Sequence, residues 1–161
     1  MSEKKVALWG SFDFLRIGHI KFLKEASGYG DLYVIAVPDR IIKENKGPFR
    51  PIFCEEERIK ALEKLDFVKK IYVDCFEDGM KSLSEIRPDF FCFGTKQDKK
   101  IKDQLIELIR RKYKKTKIIE IEEDFETRRS KDFVELSSHN KEILKKNQAK
   151  ILKHYQKYSR T

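Results

Sequence analysis

Five short, mostly apolar runs alternate along the chain with segments in which apolar residues recur at helical spacing. The apolar runs predict five strands, over 6–9, 32–37, 70–75, 89–94 and 116–122. The helical spacing predicts four helices, over 19–30, 54–65, 80–86 and 102–113. Strands that are apolar throughout and separated by helices are typical of a parallel sheet covered on both faces. The order therefore predicts an α/β, Rossmann-like doubly wound fold with a five-stranded parallel sheet.

The segment 39–51 interrupts this alternation. Its sequence, DRIIKENKGPFRP, is rich in Lys and Arg and contains one glycine and two prolines, so we expect a polar loop. In open parallel sheets, ligands bind beyond the carboxyl ends of the strands, where the strand order reverses. The carboxyl end of the first predicted strand is at Trp9 and Gly10, and we expect a ligand site directly after it.

Composition and charge narrow the class of protein. The chain has 161 residues, 40% hydrophobic and 39% charged, with a net charge of +9, which suits one α/β domain of ordinary size. Seven Lys or Arg and one Glu lie within 139–161, so this segment carries +6 of that charge. Because the excess is concentrated there, we do not interpret the body of the chain as a nucleic-acid binder.

The charge distribution suggests a domain over 1–136 and a basic helical extension over 137–161. An apolar stripe at helical spacing runs along the extension, through Leu144, Gln148, Ile151, Tyr155 and Tyr158. We expect this stripe to pack on the domain. A partner helix, an anionic surface or a dimer contact are the alternatives.

Neither a membrane segment nor a metal or disulfide framework is expected. No run of about 18 apolar residues occurs, and the N-terminus lacks the pattern of a secretory signal, so we expect a cytoplasmic protein without membrane insertion. The three cysteines lie far apart without a C-x-x-C pair, and the chain has three histidines. A zinc site is therefore not predicted, and Cys92, inside an apolar run, is interpreted as a buried small hydrophobe.

The stretch GSFDFLRIGH, residues 10–19, carries the candidate chemistry. Gly10 allows a ligand to approach the backbone closely. Gly18 and His19 would lie at a helix N-terminus, whose partial positive charge and N–H donors attract phosphate. A glycine-rich turn and a histidine at a helix start also occur in purely structural roles, so the stretch alone leaves both interpretations open.

The longer stretch GSFDFLRIGHIKFLKEA resembles the opening motif of the nucleotidyltransferase superfamily that includes glycerol-phosphate cytidylyltransferase, archaeal FAD synthetase and heptose-phosphate adenylyltransferase. That motif reads G-[TS]-F-D-x-x-H-x-G-H. The chain matches it at Gly10, Ser11, Phe12, Asp13, Gly18 and His19. The first histidine of H-x-G-H is Arg16 here. Three further segments resemble the family in order and spacing, KGPFRPIFCEEER (46–58), LDFVKKIYV (65–73) and IRPDFFCFGTKQD (86–98).

The resemblance implies nucleotidyl transfer from CTP or ATP, with CTP slightly favoured, to a small phosphorylated acceptor, and release of pyrophosphate. A polyol or sugar phosphate is the expected acceptor, and FAD synthetase-type transfer to FMN is the alternative. Mg²⁺ would accompany the triphosphate, and a homodimer is expected. His19, Arg16 and Lys46 (Lys43 being the second choice) would serve catalysis. Nucleotide contacts are expected from Gly10, Ser11, Phe12, Asp13, Gly18, Gly94 and Asp98.

Two departures from the family pattern leave turnover open. Arg16 replaces a titratable histidine with a fixed charge. Where the family has I-S-[ST]-[ST]-x-[IV], the chain has ETRRSKDFVEL (126–136), which retains Ser130 and adds the cations Arg128 and Arg129. Both changes favour a site that still binds triphosphate through added cations. The alternatives are a non-catalytic nucleotide-binding or regulatory protein, and a module that binds anions through the basic extension.

Overall fold

A five-stranded, all-parallel sheet forms the centre of the protein. The computed structural model describes residues 3–123, 145–146, 148–150 and 152–153. The strands are β1 (Lys5–Gly10), β2 (Asp31–Ala36), β3 (Val68–Val73), β4 (Phe90–Gly94) and β5 (Lys117–Ile121). They lie side by side in the order β3-β2-β1-β4-β5. The predicted Rossmann-like α/β fold is thus confirmed, and the five strands lie where the apolar runs place them.

Helices connect the strands. They are α1 (Ile17–Ser27), α2 (Asp39–Lys46), α3 (Glu55–Glu63), α4 (Ser82–Ile86) and α5 (Lys99–Lys112), with a single 3₁₀ turn at Phe76–Asp78. Four of the five α-helices match the predicted ones within a few residues at each end. The first begins two residues earlier than predicted, which places His19 in its first turn.

The prediction of a loop over 39–51 is wrong for its first half, which forms α2. Five of the eight residues of α2 are charged, so its apolar signal is confined to Ile41 and Ile42, which are both buried. The helix follows Pro38, begins with an acidic residue and ends at Gly47, whose φ of 98° a residue with a side chain rarely adopts.

The core has two halves, one on each face of the sheet. Val6 and Leu8 of β1 point to the face covered by α1 and α3, together with Leu23. Ala7 points to the opposite face, where Leu105 of α5 and other apolar side chains pack. Because successive side chains of a strand alternate between faces, apolar residues at every position are needed to bury both. Cys92 is buried as predicted.

The strand order reverses between β1 and β4, which are neighbours although they are far apart in sequence. Gln97 bridges the two strand ends: its Nε2 donates to the carbonyl of Trp9 at 2.8 Å, and its Oε1 accepts from the N–H of Gly94 at 2.9 Å. The carboxyl ends of β1 and β4 are therefore held at a set separation, and the expected ligand position lies between them.

Part of the basic extension packs on the α/β domain. Leu152 is 3% exposed and belongs to the core cluster on the α1 side of the sheet. Packing of the extension on the domain is therefore confirmed for the residues that are described. Leu152 is not part of the predicted stripe, whose one described residue, Gln148, is 7% exposed. The other four stripe residues, Leu144, Ile151, Tyr155 and Tyr158, lie outside the described residues. The boundary at residue 136 stays a prediction.

Candidate active site

A cavity of about 650 Å³ opens at the carboxyl ends of the strands. It brings together most of the predicted site residues, namely Gly10, Ser11, Phe12, Asp13, Arg16, Gly18, His19, Lys46 and Asp98. Gly94 is not among the lining residues, and neither is Lys43. Arg128, Arg129 and Ser130 lie outside the described residues, so their predicted contacts stay predictions.

The turn after β1 is built around Phe12. This residue has a φ of 49° and a buried ring. A Cβ added at Gly10 would come within 2.8 Å of that ring, so a larger residue at position 10 would force the ring to move. On its other side the ring of Phe12 meets the His19 imidazole edge to face, with 6.2 Å between ring centroids. Phe12 therefore positions His19 from within the turn.

His19 lies in the first turn of α1, with its ring at the cavity wall. Its Nδ1 accepts a hydrogen bond from the backbone N–H of Arg16 at 3.2 Å. Burial by the surrounding protein, and then the positive charge of Arg16, lower the pKa of His19 to about 4. The imidazole is therefore neutral at neutral pH, and because Nδ1 accepts, its proton lies on Nε2.

Arg16 is the residue that caps α1. Its backbone is extended, with φ −102° and ψ 166°, and its carbonyl accepts from the N–H of Ile20 at 3.1 Å. The guanidinium lines the cavity beside His19. A fixed cation at the N-terminus of a helix adds to the positive end of the helix dipole, so this corner of the cavity favours an anion.

Lys46 reaches the same turn from the end of α2. Its Nζ donates to Oγ of Ser11 at 3.3 Å. Loss of hydration around the ammonium group, and then the nearby charge of Arg50, lower the pKa of Lys46. The structure therefore distinguishes the two lysines considered for the phosphates, because Lys43 faces away from the cavity, toward a second, shallow hollow.

Asp13 holds the segment that follows α2. Its Oδ2 accepts from Nε of Arg50 at 2.6 Å, and its Oδ1 accepts from the backbone N–H groups of Ile52 at 2.8 Å and Phe53 at 3.0 Å. The Asp13 and Arg50 side chains are 1% and 6% exposed. Since three donors already engage this carboxylate, its position in the turn is set by the protein; its predicted contact with the nucleotide stays a prediction.

Arg58 was not singled out by the sequence pattern, yet it is almost completely buried beside the turn. Its Nη1 donates to the carbonyl oxygen of Ser11 at 2.7 Å, and its Nη2 donates to Oδ1 of Asp39 at 2.7 Å. Asp39 is the first residue of α2. The guanidinium of Arg58 therefore connects the turn after β1 to α2, the helix that carries Lys46.

A carboxylate also lies at the cavity wall, on Glu123 just after β5. A Cβ added at Gly94 would overlap this carboxylate, so the absence of a side chain at Gly94 makes room for it. Burial raises the pKa of Glu123, and the Lys96 backbone and the charges of Lys96 and Arg16 act in the opposite direction. Gly94 thus shapes the site by accommodating Glu123. A single acidic residue after a strand gives no sequence signal of such a role.

The cavity is lined by both charged and apolar side chains. The charged groups include His19 and Arg16 at the start of α1 and Lys46 at the end of α2. Among the apolar ones, Val37, Ile41 and Ile42 form one cluster, against which Trp9 packs. Such a lining can hold phosphate groups together with a less polar group.

Within the described residues, no three or more His, Cys, Asp or Glu side chains converge to hold a metal ion. Of the helices described, none combines the length and apolar character that crossing a bilayer would require.

The fold and the cavity define a nucleotide-binding type of α/β protein, and comparison with known families identifies which one. Residues 7–159 match the family model described as cytidylyltransferase-like. The match covers nearly the whole chain, so the protein belongs to the cytidylyltransferase-like family, and the predicted family is confirmed.

Similar proteins agree with this assignment. The chain is 36% identical over 93 residues to the bifunctional protein HldE of Koribacter versatilis, which is 57% of this chain and 19% of that protein. It is 36% identical over 94 residues to the FAD synthase of Ferroglobus placidus, which is 58% of this chain and 60% of that protein. These matches therefore span less than two thirds of either relative.

A solved structure matches more completely. The lipopolysaccharide core biosynthesis protein from Thermoplasma volcanium GSS1 is 30% identical, with a TM-score of 0.67. The superposition covers 76% of this chain and 99% of that one. The same α/β architecture is therefore shared over the full length of that protein.

Proposed function

We propose that the protein transfers CMP or AMP from CTP or ATP to a small phosphorylated acceptor, a polyol or sugar phosphate, and releases pyrophosphate. The family and the relatives support nucleotidyl transfer in general, and the choice of nucleotide and acceptor is our proposal. The observation that carries it is one corner of the cavity, where a neutral His19, Arg16 and Lys46 surround the N-terminus of α1.

The chemistry requires positioning and charge stabilisation. An oxygen of the acceptor phosphate attacks the α-phosphorus, and the bond from this phosphorus to the oxygen bridging to the β-phosphate breaks. Negative charge then grows on the departing pyrophosphate. Arg16 and Lys46 would stabilise that charge, and the neutral His19 would donate a hydrogen bond from a site already shielded from water. Arg58 and Asp13 would hold the turn and α2 in place.

Mg²⁺ is proposed to enter with the triphosphate. This ion is usually held by substrate phosphates, waters and one or two carboxylates, not by a complete cage of protein ligands. The cavity fits that mode because the carboxylates of Asp98 and Glu123 line it without forming a cluster. These two residues would hold the ion, which would neutralise charge on the phosphates. A homodimer and a cytoplasmic location stay predictions.

A second candidate function is adenylyl transfer to FMN. The apolar cluster at the cavity wall, formed by Trp9, Val37, Ile41 and Ile42, favours it because a flat ring system would pack there better than a polyol. FAD synthases are also among the relatives. The third candidate, a non-catalytic nucleotide-binding protein, rests on Arg16 in place of histidine.

The test is a screen for pyrophosphate release. CTP and ATP are each paired with glycerol phosphate, sugar phosphates and FMN, in the presence of Mg²⁺. We expect one pair to be turned over, and we expect Lys46→Ala to lower kcat/KM on the order of 100-fold. Lys43→Ala on the same helix, outside the cavity, is the matched control and should remain near the wild-type value.

The outcomes separate the candidates. If pyrophosphate is released only from the pair of ATP and FMN, the acceptor is FMN and not a polyol or sugar phosphate. Binding of a nucleotide without release for any pair would favour the non-catalytic candidate. Equal losses in Lys46→Ala and Lys43→Ala would contradict the placement of the triphosphate next to Ser11.

A further inference from the structure

The side chain of Gln148, in the C-terminal extension, pairs with the backbone of the opening motif. The N–H of Leu15 donates to Oε1 of Gln148 at 2.6 Å, and Nε2 of Gln148 donates to the carbonyl of Leu15 at 2.9 Å. Gln148 is 7% exposed, and the two residues are 133 positions apart in sequence. The amide thus satisfies both polar groups of one buried residue, as a neighbouring strand would.

Leu15 lies at a critical position in the turn. It directly precedes Arg16, whose backbone N–H donates to Nδ1 of His19. Two residues earlier, Asp13 is held by Arg50. The backbone from Asp13 to Arg16 is therefore fixed at one end by the segment after α2 and at the other by Gln148. A backbone shift at Leu15 would move Arg16 and the N–H that orients the imidazole.

The extension itself is anchored on both sides of Gln148. Lys145 forms an ion pair with Glu57 of α3 at 2.6 Å, and Leu152 is buried in the core cluster on the α1 side. Residues 145, 148 and 152 follow helical spacing, so all three face the domain. The ion pair is partly exposed and contributes little, whereas the buried pairing at Gln148 is costly to break, since it would leave two polar groups unsatisfied.

We propose, building on the proposed function, that Gln148 is a positioning residue of the nucleotidyl-transfer site. It holds the Leu15 backbone in the conformation that places Arg16 and His19 against the triphosphate. In this proposal the basic extension supports the site by holding the backbone of the opening motif at Leu15, without contact between its charged side chains and the nucleotide.

Gln148→Met tests the proposal because methionine has a similar length and cannot replace the two hydrogen bonds. Leu152→Ala is the matched control: it weakens packing of the same segment but leaves the Gln148–Leu15 pairing intact. Each enzyme is assayed at the same interval below its own Tm. We expect Gln148→Met to lower kcat on the order of 10-fold to 100-fold, with Leu152→Ala remaining near wild type.

A second measurement does not depend on turnover. The pKa of His19 is followed by NMR of the imidazole nitrogens, with His19→Ala used for assignment among the three histidines of the chain. In wild type we expect a value of about 4. In Gln148→Met the value should rise toward 6.5, because a displaced Arg16 backbone would admit water around the ring. Leu152→Ala should keep the wild-type value.

The proposal stands only if Gln148→Met changes both kcat and the pKa of His19 while Leu152→Ala changes neither. An unchanged pKa in Gln148→Met overturns it, as does a kcat loss that the control reproduces. If wild type turns over no acceptor, the proposed function fails, and the pKa of His19 in the two variants still decides whether Gln148 positions this residue.

Discussion

At the scale of single residues, the site depends on groups whose ionisation the fold alters. His19 is kept neutral by burial and by Arg16, and loss of hydration lowers the pKa of Lys46. Both groups belong to a corner that would receive a highly charged triphosphate. The neutral imidazole of His19 can donate a hydrogen bond to a phosphoryl oxygen. The positive charge that balances the phosphate is supplied by the neighbouring Arg16.

His19→Ala should reduce turnover on the order of 100-fold or more while the fold survives, because one preorganised donor near the developing charge would be lost. The measurement is kcat by pyrophosphate release, with circular dichroism used to check the fold. An unchanged rate in a folded variant would remove His19 from the mechanism.

The altered pKa of His19 also predicts how stability depends on pH. Its folded pKa of about 4 lies below the ordinary histidine pKa of 6.5, so between these pH values the unfolded chain binds more protons. The contribution of His19 to the free energy of unfolding is therefore fully present above pH 6.5. It decreases as the pH falls toward 4, by about 3 kcal/mol at most. Urea unfolding of wild type and His19→Gln across this range tests it: the variant should lose less stability, and parallel curves would contradict the prediction.

Arg16→His restores the usual family motif. We expect weaker triphosphate binding, because a fixed cation at the N-terminus of α1 is exchanged for a group that is neutral at pH 7. The dissociation constant for CTP or ATP with Mg²⁺, measured by calorimetry, checks this. Tighter binding together with faster turnover would mean that Arg16 marks a site in decay, not an adaptation.

At the scale of elements, the strands were predictable and the supports of the site were not. The central strands β1, β2 and β4 are largely apolar at successive positions because both faces of the sheet are covered, and the edge strands β3 and β5 keep shorter apolar runs between charged residues. In the charged helix α2, only the buried residues Ile41 and Ile42 give an apolar signal in the sequence. The contacts of Arg58 and Gln148 with the turn join residues far apart in sequence. Such partners are set by the packing of elements, which no local pattern encodes.

The pair between Asp13 and Arg50 gives a test at this scale. Asp13→Ala should destabilise the protein by about 3 to 5 kcal/mol, because it leaves Arg50 buried without its counter-charge and removes the acceptor for two backbone N–H groups. Asp78→Ala is the control, since its ion pair with Arg40 is half exposed and screened by solvent, so its removal should destabilise the protein far less. Similar losses in both variants, measured by urea unfolding, would contradict this role.

At the scale of the whole molecule, three separate parts of the chain meet at one turn. The segment after α2 holds Asp13, α3 supplies Arg58 against Ser11, and the C-terminal extension pairs with Leu15. Deleting residues 139–161, which would isolate the contribution of the basic charges, would also remove the partner of Leu15 and the buried Leu152. A loss of nucleotide binding in this truncation would therefore combine two effects: the lost contacts with Leu15 and the core, and the lost positive charge.

Because the turn is assembled from the whole chain, a ligand that binds it should stabilise the whole fold. We expect CTP or ATP with Mg²⁺ to raise the Tm, since a ligand at about 100 times its Kd adds roughly 2.7 kcal/mol. GTP, UTP, Mg²⁺ alone and inorganic tripolyphosphate are the comparisons that separate recognition of the base from recognition of phosphate. A shift with one nucleotide would identify the base, whereas equal shifts with tripolyphosphate would show that only the cationic corner binds. No shift with any of them would contradict a working triphosphate site with Arg16 in the motif.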